Sequence, residues 1–264
     1  MFDSTLQKWQ LVPDGEPLET HSSRLLPVRW NGLPAMLKIA LHTEEERGGH
    51  LMDWWQGQGA ARVLRHEGNA ILLERATGAA SLKEIVRQGQ DDEASRIMCA
   101  VAERLHAPQA KPVPDPVPLE TWFRDLDSAA PGHGGILSRC ASTARHLLAT
   151  PQDVRVLHGD IHHDNILDFG ERGWLAIDPK GLSGERGFDF ANIFCNPDPK
   201  TALRPGRLVR QVEVVTQAAK LDRQRLLQWI LAWSGLSAVW MMQDSADART
   251  QLAIAELAAA QLDR

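Results

Sequence analysis

In the first forty residues, the short stretches 9–12, 17–21, 25–30 and 33–40 read as strands, the last two rich in apolar residues. Asn31-Gly32 sits between the last two, and this dipeptide tolerates the positive φ values that a two-residue hairpin turn demands. An antiparallel sheet is expected. After Thr43 the pattern changes: Gly48, Gly49, Met52 and Trp55 recur at spacings of three and four until Gly57 and Gly59, which predicts a helix. Short apolar runs at 61–64 and 70–73 predict two more strands, completing a small α+β unit.

From Gly78 onward the pattern is mainly helical. Ser81 and Glu84 have the spacing of a capping box at the head of a helix over 82–87. Ala94, Ile97, Met98, Val101, Ala102 and Leu105 trace one face of a longer helix behind Asp91 and Asp92. Pro108, Pro112, Pro114, Pro116 and Pro118 make a stiff extended connector, and helical sequence resumes at Glu120. Residues 225–243 are apolar nearly all round, as suits a buried core helix, and 250–262 carry a stripe of Leu252, Ala255, Ala259 and Leu262.

Composition narrows the function. The chain has 264 residues, 43% of them apolar, enough for one large or two modest domains with a real core. Its net charge of −5 is spread along the chain with no basic run suited to a phosphate backbone, so nucleic acid is not the expected partner. The start of the chain lacks a signal-peptide pattern, and no run approaches the roughly 20 apolar residues of a membrane helix; a cytoplasmic protein is expected. Cys99, Cys140 and Cys195 are odd in number and far apart, which predicts inert thiols. There are nine Trp and no Tyr.

The segment that carries chemistry runs from Val154 to Gly181: VRVLHGDIHHDNILDFGERGWLAIDPKG. A short strand delivers a polar loop, His158 to Asn165; strands at 166–168 and 174–177 flank a turn at 170–173, and the second ends on Asp178. Phosphoryl transfer needs a carboxylate to orient the attacking hydroxyl and take its proton, and oxygen ligands to hold Mg²⁺ on the triphosphate. Asp160 fits the first role, and Asn165 with Asp178 the second. Five residues after Asp160 the loop can turn Asn165 toward the same phosphate, and a tight hairpin returns Asp178 beside it. His162, His163, Asp160 and Asp164 also admit two other readings, as metal ligands of a hydrolase or as a polar loop end.

His158-Gly159-Asp160-Ile161-His162-His163-Asp164-Asn165, followed by Ile177-Asp178-Pro179, resembles the catalytic loop and metal-binding turn of the aminoglycoside phosphotransferase family. The spelling HGDIHHDNIL with GWLAIDPKGL is most similar to its streptomycin 6-phosphotransferase and hydroxyurea phosphotransferase branch. The resemblance implies a two-lobed, protein-kinase-like α+β fold: an N-terminal nucleotide-binding lobe over residues 1–76, then a helical C-terminal lobe over 77–264 with the catalytic loop and acceptor site. ATP and Mg²⁺ are the implied cofactors. Lys38, which interrupts an apolar strand, would contact the phosphates, with Glu45 as its partner because it shares the face of Gly48, Gly49 and Met52. A solvated edge lysine and a solvated acidic helix start are the plainer alternatives.

By the same resemblance, the phosphate-covering loop falls at Thr20 to Arg24, where Ser22 and Ser23 replace the usual glycines as donors, and Glu74 to Ala76 form the hinge beside adenine. Asp189 would fix the catalytic loop from behind, and the ten residues between it and Asp178 leave little room for a regulatory segment. The implied acceptor is a small molecule, foremost an aminoglycoside such as streptomycin; hydroxyurea, an unknown metabolite and a nucleotide-binding pseudokinase are alternatives. A cationic acceptor calls for an acidic pocket. Asp125, Asp127, Glu185 and Asp244 are available for one but read as ordinary surface acids, and Trp233, Ser237 and Trp240 on the late helix are candidates for its wall, with core packing the preferred role. The oligomeric state is left open.

Overall fold

The computed structural model describes residues 2–264. Its first lobe is built on the hairpin of β3 (Ser23–Trp30) and β4 (Leu33–Ala40), whose register runs from Trp30↔Leu33 to Ser23↔Ala40. Asn31 and Gly32 turn the chain at φ 51° and 80°, the left-handed region this dipeptide favours. β6 (Ala70–Glu74) pairs with the other edge of β4, and β5 (Val63–Glu67) with β6. β1 (Val12–Pro13) and β2 (Leu18–Glu19) both pair with β3, completing a six-stranded antiparallel sheet.

Alternation on β4 divides its side chains between two environments. Ala35 and Leu37 enter an outer core with Leu26, Val28, Ala70 and Leu72, whereas Met36, Lys38 and Ala40 line a cavity on the inner face. Helix α2 (Thr43–Trp55) follows β4 and lines that same cavity with Glu45, Gly48, Gly49 and Met52.

Two expectations for this lobe are corrected. The strands read at 9–12 and 17–21 shrink to the two-residue β1 and β2, because the chain opens with a helix, α1 (Asp3–Trp9). Trp9 and Leu11 are buried against the outer sheet face, and Leu6 packs on them, so tertiary packing overrides the local pattern. The strand read at 61–64 starts two residues later. Ala60 and Ala61 instead reach the second lobe, where Ala61 N–H donates to the Ala176 carbonyl at 2.8 Å.

The second lobe is mainly helical. α3 (Leu82–Arg87) and α4 (Asp91–Leu105) open it, and the expected capping box is not formed, since Ser81 makes no side-chain cap bond. Ala94, Met98, Val101, Ala102 and Leu105 of α4 are buried as the stripe predicted. The proline-rich connector ends in β7 (Val117–Pro118) and leads into α5 (Leu119–Trp122), α6 (Arg124–His133) and α7 (Gly135–Ala149). After β8 (Val154–Leu157) comes the hairpin of β9 (Ile166–Asp168) and β10 (Trp174–Ala176). β11 (Leu182–Glu185) lies between β7 and β8, and a 3₁₀ stretch over residues 186–195 follows it. The chain finishes with α8 (Pro199–Ala202), α9 (Arg207–Ala219), α10 (Arg223–Gln243) and α11 (Arg249–Leu262).

Helix α10 is the buried axis of this lobe, with Leu227, Ile230, Leu231 and Leu236 fully enclosed. Among the described residues no helix is long and apolar enough to cross a membrane. All three cysteines are buried, and burial pushes the Cys99 and Cys140 thiols up to about 12, so they are unreactive. The tryptophans are placed for their N–H as well as their bulk. Trp55 donates to the Leu105 carbonyl at 3.0 Å, Trp229 to Glu185 at 2.7 Å, Trp233 to Asn192 at 3.1 Å and Trp240 to Asp125 at 2.8 Å. Indole offers a donor and no acceptor, which suits fixed carbonyl and carboxylate partners inside a core.

A buried ion pair of the helical lobe joins Glu185 at the end of β11 to Arg225 on α10. The Arg225 guanidinium donates to both Glu185 oxygens, at 2.6 Å for the shortest contact, and also to the Thr150 carbonyl at 2.6 Å. Glu185 also accepts from the Gln152 backbone at 2.9 Å. Glu185 is therefore a structural acid and not part of an acceptor pocket. Arg225→Met should cost about 3–5 kcal/mol, because it strands a buried carboxylate; Glu185→Gln combined with Arg225→Met should cost less than the single change. Chemical denaturation of both variants measures the difference.

Candidate active site

The polar loop between β8 and β9 is held from behind by Asp189. Its carboxylate accepts the backbone N–H of His158 at 3.0 Å and of Gly159 at 2.7 Å, and the His106 ring N–H at 2.7 Å. Gly159 has φ 89°, and a Cβ there would approach Leu182 to 2.8 Å, so the turn requires glycine. His158 is fully buried beside Trp55, donates through Nε2 to the Ile177 carbonyl at 2.8 Å, and accepts the Asp160 N–H on Nδ1 at 3.2 Å. Burial holds its pKa below the ordinary histidine value, which keeps it neutral and able to do both.

The loop presents Asp160 with both carboxylate oxygens engaged. Asn192 Nδ2 donates to Oδ1 at 2.8 Å and Asn165 Nδ2 to Oδ2 at 3.2 Å; Asn165 also donates to the Asp160 carbonyl at 2.9 Å. Burial opposes ionisation of Asp160, but His162, Lys180 and His158 outweigh it and hold the pKa below the usual aspartate value.

A few ångströms away four charges interlock across the lobes. Lys38 of β4 bridges Glu45 Oε2 on α2 and Asp178 Oδ1 just past β10. Lys180 takes the opposite oxygens, Glu45 Oε1 at 3.1 Å and Asp178 Oδ2 at 3.8 Å. Glu45 is 4% exposed and receives the Ser23 hydroxyl as well, at 3.1 Å. Burial works against the charged forms of both Asp178 and Lys180, yet their neighbours prevail: Lys38 and Lys180 lower the Asp178 pKa, while Asp178 and Glu45 raise that of Lys180. Asp178 itself has φ 63°, an uncommon conformation for a residue with a Cβ and one concentrated at functional turns. Gly48 lets α2 lie against this turn, since a Cβ there would stand 2.2 Å from the Pro179 carbonyl oxygen.

Two cavities meet at this cluster. The smaller, about 430 Å³, runs between the lobes and is lined by Lys38, Glu45, Asn165 and Asp178, by Met36, Met52 and Leu167, and by Glu74 to Ala76. The larger, about 620 Å³, lies against the helical lobe and is lined by Asp160, His162, Lys180, Asn192 and Asn196, by Glu44 and Asp125, and by Trp122, Trp233 and Trp240. Asp160 faces the larger cavity, while Asn165, which it holds, faces the smaller.

The sequence-predicted site residues therefore converge, with some changes of role. Ser23 belongs to β3 instead of a loop, and its two donors are spent inside the protein, the N–H on Thr20 Oγ1 at 3.0 Å and the hydroxyl on Glu45. Ser22 stays in the turn, where its carbonyl accepts the Leu41 N–H at 2.9 Å, and it does not line the cavity. The Glu74 carboxylate is taken by Arg172 and by the Arg62 N–H at 2.5 Å. It is a tie between the lobes. Ala76 lines the cavity beside it.

The donor set suits a nucleotide-borne Mg²⁺. Asn165 and Asp178 bring hard oxygen donors to one cavity, the two lysines paired with Asp178 already show its attraction for cations, and phosphate oxygens with water would supply the other ligands. Among the described residues no group of three or more His, Cys, Asp or Glu could hold a metal. The surroundings of His163 and Asp164 give the hydrolase reading no support. His163 is buried with both ring nitrogens unpartnered, its pKa pushed down to about 3 by burial, and Asp164 is paired with Lys83 at 2.5 Å.

Sequence reasoning passed over Lys180, Asn192 and Trp122 and treated Asp125, Trp233 and Trp240 as ordinary surface or core. The signal available for Lys180 was its place two residues after Asp178. For the others there was none, since their partners lie far off along the chain.

Comparison with known proteins bears on the whole chain. The family model described as aminoglycoside/hydroxyurea antibiotic resistance kinase matches residues 8–245. A streptomycin 3''-kinase of Klebsiella pneumoniae is 53% identical over 90% of this chain and 91% of its own length. A streptomycin 6-kinase of Streptomyces griseus is 31% identical over 95% of this chain and 86% of its own. Among solved structures, a thermostable mutant of aminoglycoside phosphotransferase APH(4)-Ia, in ternary complex with AMP-PNP and hygromycin B, superposes with a TM-score of 0.68 at 13% identity, covering 99% of this chain and 96% of the other. At that identity the likeness is one of fold.

The charge cluster sets a pH dependence. Asp160 and Asp178 have folded pKa values below their unfolded ones, so they add stability at every pH above the ordinary aspartate range, and this is lost as pH falls through the depressed values. Acid denaturation of the parent should therefore be steep below about pH 4, and shallower in Asp178→Asn, which cannot take up that proton. Urea midpoints measured down an acid series test the difference in slope.

Proposed function

The chain belongs to the aminoglycoside/hydroxyurea antibiotic resistance kinase family, and from that premise we propose that it transfers the γ-phosphoryl group of Mg²⁺-bound ATP to a hydroxyl of streptomycin, at the 3'' position. The observation that carries this reading is the position of Asp160 and Asn165, hydrogen-bonded to each other with one facing each cavity. A nucleotide in the smaller cavity and an acceptor in the larger would bring phosphorus and hydroxyl together at that junction.

In the reaction the acceptor oxygen forms a bond to the γ-phosphorus, the bond to the β–γ bridging oxygen breaks, ADP leaves, and the hydroxyl proton passes to the Asp160 carboxylate. With its pKa held low, Asp160 is a weak base, so its work is to orient the hydroxyl and accept the proton late, as a loose transition state permits. Asn192 and Asn165 fix the carboxylate in position. Lys38 serves the phosphates from β4, Glu45 steadies it, and the main chain at Glu74 to Ala76 borders the base. Mg²⁺, held by Asn165 and Asp178 when bound, would neutralise the phosphate oxygens. In this reading the lobes divide between Ala76 and Thr77, a division supported by Ala76 lining this cavity and Thr77 not.

The character of the larger cavity favours streptomycin over hydroxyurea. Trp122 and Trp233 lie nearly parallel at 19° between ring planes, with Trp240 edge-on at 5.0 Å from Trp122. Asp125, Glu44 and Asp160 place acids around these rings. Flat guanidinium groups are recognised by carboxylates together with indole faces, and streptomycin carries them. Hydroxyurea is small and uncharged, and leaves both the acids and the 620 Å³ without a partner. The 53% identity to a streptomycin 3''-kinase supports the 3'' over the 6 position.

Purified protein with ATP, Mg²⁺ and streptomycin should yield a singly phosphorylated drug, located by mass spectrometry and NMR at the 3'' hydroxyl. Its KM should rise with ionic strength across the range where screening matters. No product from folded, ATP-binding protein would overturn the acceptor. Asp160→Asn should keep nucleotide affinity while turnover falls by roughly 10²- to 10⁴-fold. Asn165→Ala and Asp178→Asn should each weaken the Mg²⁺-dependent part of ATP binding in calorimetry.

A further inference from the structure

Lys180 is out of keeping with the cavity it lines. Among the described residues around the larger cavity it is the one lysine or arginine, set among Asp160, Glu44, Asp125 and three tryptophans. Such a lining suits a cation, and an ammonium placed there would repel one. Its location is also the narrow one: it lines the acceptor cavity, yet its Nζ bonds Glu45, which lines the nucleotide cavity. The Lys180 backbone N–H is anchored to the His158 carbonyl at 2.7 Å, so the side chain starts from the root of the catalytic loop.

The charge balance gives this position a use. Lys38 and Lys180 share the two carboxylates Glu45 and Asp178, each lysine taking one oxygen of each acid. Once Asp178 serves a metal, the two lysines retain Glu45 alone between them, with Glu44 3.7 Å from Lys180 as a half-exposed surface acid. One positive charge is then free for an anion. Lys38 rises from the inner face of the sheet, within the nucleotide cavity, whereas Lys180 stands where that cavity opens onto Asp160.

We propose that Lys180 is a catalytic residue for the phosphoryl group in flight: its ammonium leaves Asp178 and contacts the oxygens of the γ-phosphoryl group as it passes from nucleotide to acceptor. This rests on the phosphotransfer reading above. The contact strengthens as the group separates from ADP and spreads its charge over its equatorial oxygens, so it acts on the transition state more than on bound ATP. The side chain needs only to exchange one carboxylate partner for a phosphoryl one, with Glu45 holding its other side.

The test compares Lys180→Met, Lys180→Arg and Glu45→Gln with the parent in two assays. Streptomycin phosphorylation gives kcat and KM, and calorimetry with Mg²⁺ gives affinities for ATP and ADP. For Lys180→Met the expected result is a fall in kcat of roughly 10²- to 10³-fold, the range for removing one preorganised charge-stabilising group. It should also weaken ATP more than ADP and leave the streptomycin KM near or below the parent value. Lys180→Arg should restore part of kcat. The proposal is overturned if kcat stays within a few-fold of the parent. It is equally overturned if ATP and ADP weaken by the same factor and Glu45→Gln reproduces the pattern, since Lys180 would then be a counter-ion of Glu45. Retained ADP affinity shows that a variant is folded. Should the parent fail to phosphorylate streptomycin, the acceptor reading falls, and the ATP-to-ADP affinity ratio still decides Lys180, because it needs no acceptor.

Discussion

The arrangement on which the rest of the structure depends is the closed set of four charges made by Lys38, Glu45, Asp178 and Lys180. Two of its members come from the sheet lobe and two from the turn after β10, so the set fixes the lobes relative to each other at the one place where chemistry is expected. Glu45 is buried, Lys38 and Lys180 are mostly so, and Asp178 keeps 34% of its side chain exposed; the buried charges would be costly alone. Together they are neutral, and each acid has two partners. In the proposed function such a set would accommodate a metal–nucleotide complex, because a cation taking Asp178 and an anion taking a lysine would exchange like for like. Ser23 and Gly48 belong to the same device, the first by donating to Glu45 and the second by letting α2 approach Pro179.

Behind that set, the loop that carries Asp160 is shaped by partners set back from both cavities. Asp189 collects the N–H groups of His158 and Gly159, and His106 fills its remaining reach. A buried carboxylate with three donors is a rigid anchor, and here it converts an irregular loop into a fixed one. Asn192, three residues further on, bonds Asp160 on one side and receives Trp233 Nε1 on the other at 3.1 Å. The wall of the larger cavity and the Asp160 carboxylate are thus coupled through a single amide. Trp233 is at once core, 5% exposed, and cavity lining. The opposition between packing and recognition drawn from the sequence does not hold for it.

What could be read from the chain follows the range of the interactions involved. The β3–β4 hairpin was legible because Asn31-Gly32 dictates it locally, and the assignment of Asp160, Asn165 and Asp178 to one site rested on a loop and a hairpin inside 28 consecutive residues. Helix α10 was legible because burial on every side leaves an apolar run. The start of the chain was not: residues 9–12 read as a strand, yet Trp9 closes α1 because the outer face of the sheet needs a cover. The acceptor cavity was illegible for the same reason on a larger scale. Trp122, Asp160, Asn192 and Trp233 come from α5, the catalytic loop, the 3₁₀ stretch and α10, and no local period brings them together. Lys180 meets Glu45 across 135 positions, a separation at which spacing carries no information.

The segment from Asp178 to Asp189 is held along much of its length. Kinases that are turned on by modification keep a long mobile segment here, able to order when a charge is added. In this chain the segment is committed: Leu182 to Glu185 form β11, hydrogen-bonded to β7 on one edge and β8 on the other, and Glu185 is locked to Arg225. Reordering it would break a strand and expose a buried ion pair, which a single surface modification could not offset. The Lys38–Glu45 pair, whose formation marks the competent state in regulated kinases, is already made.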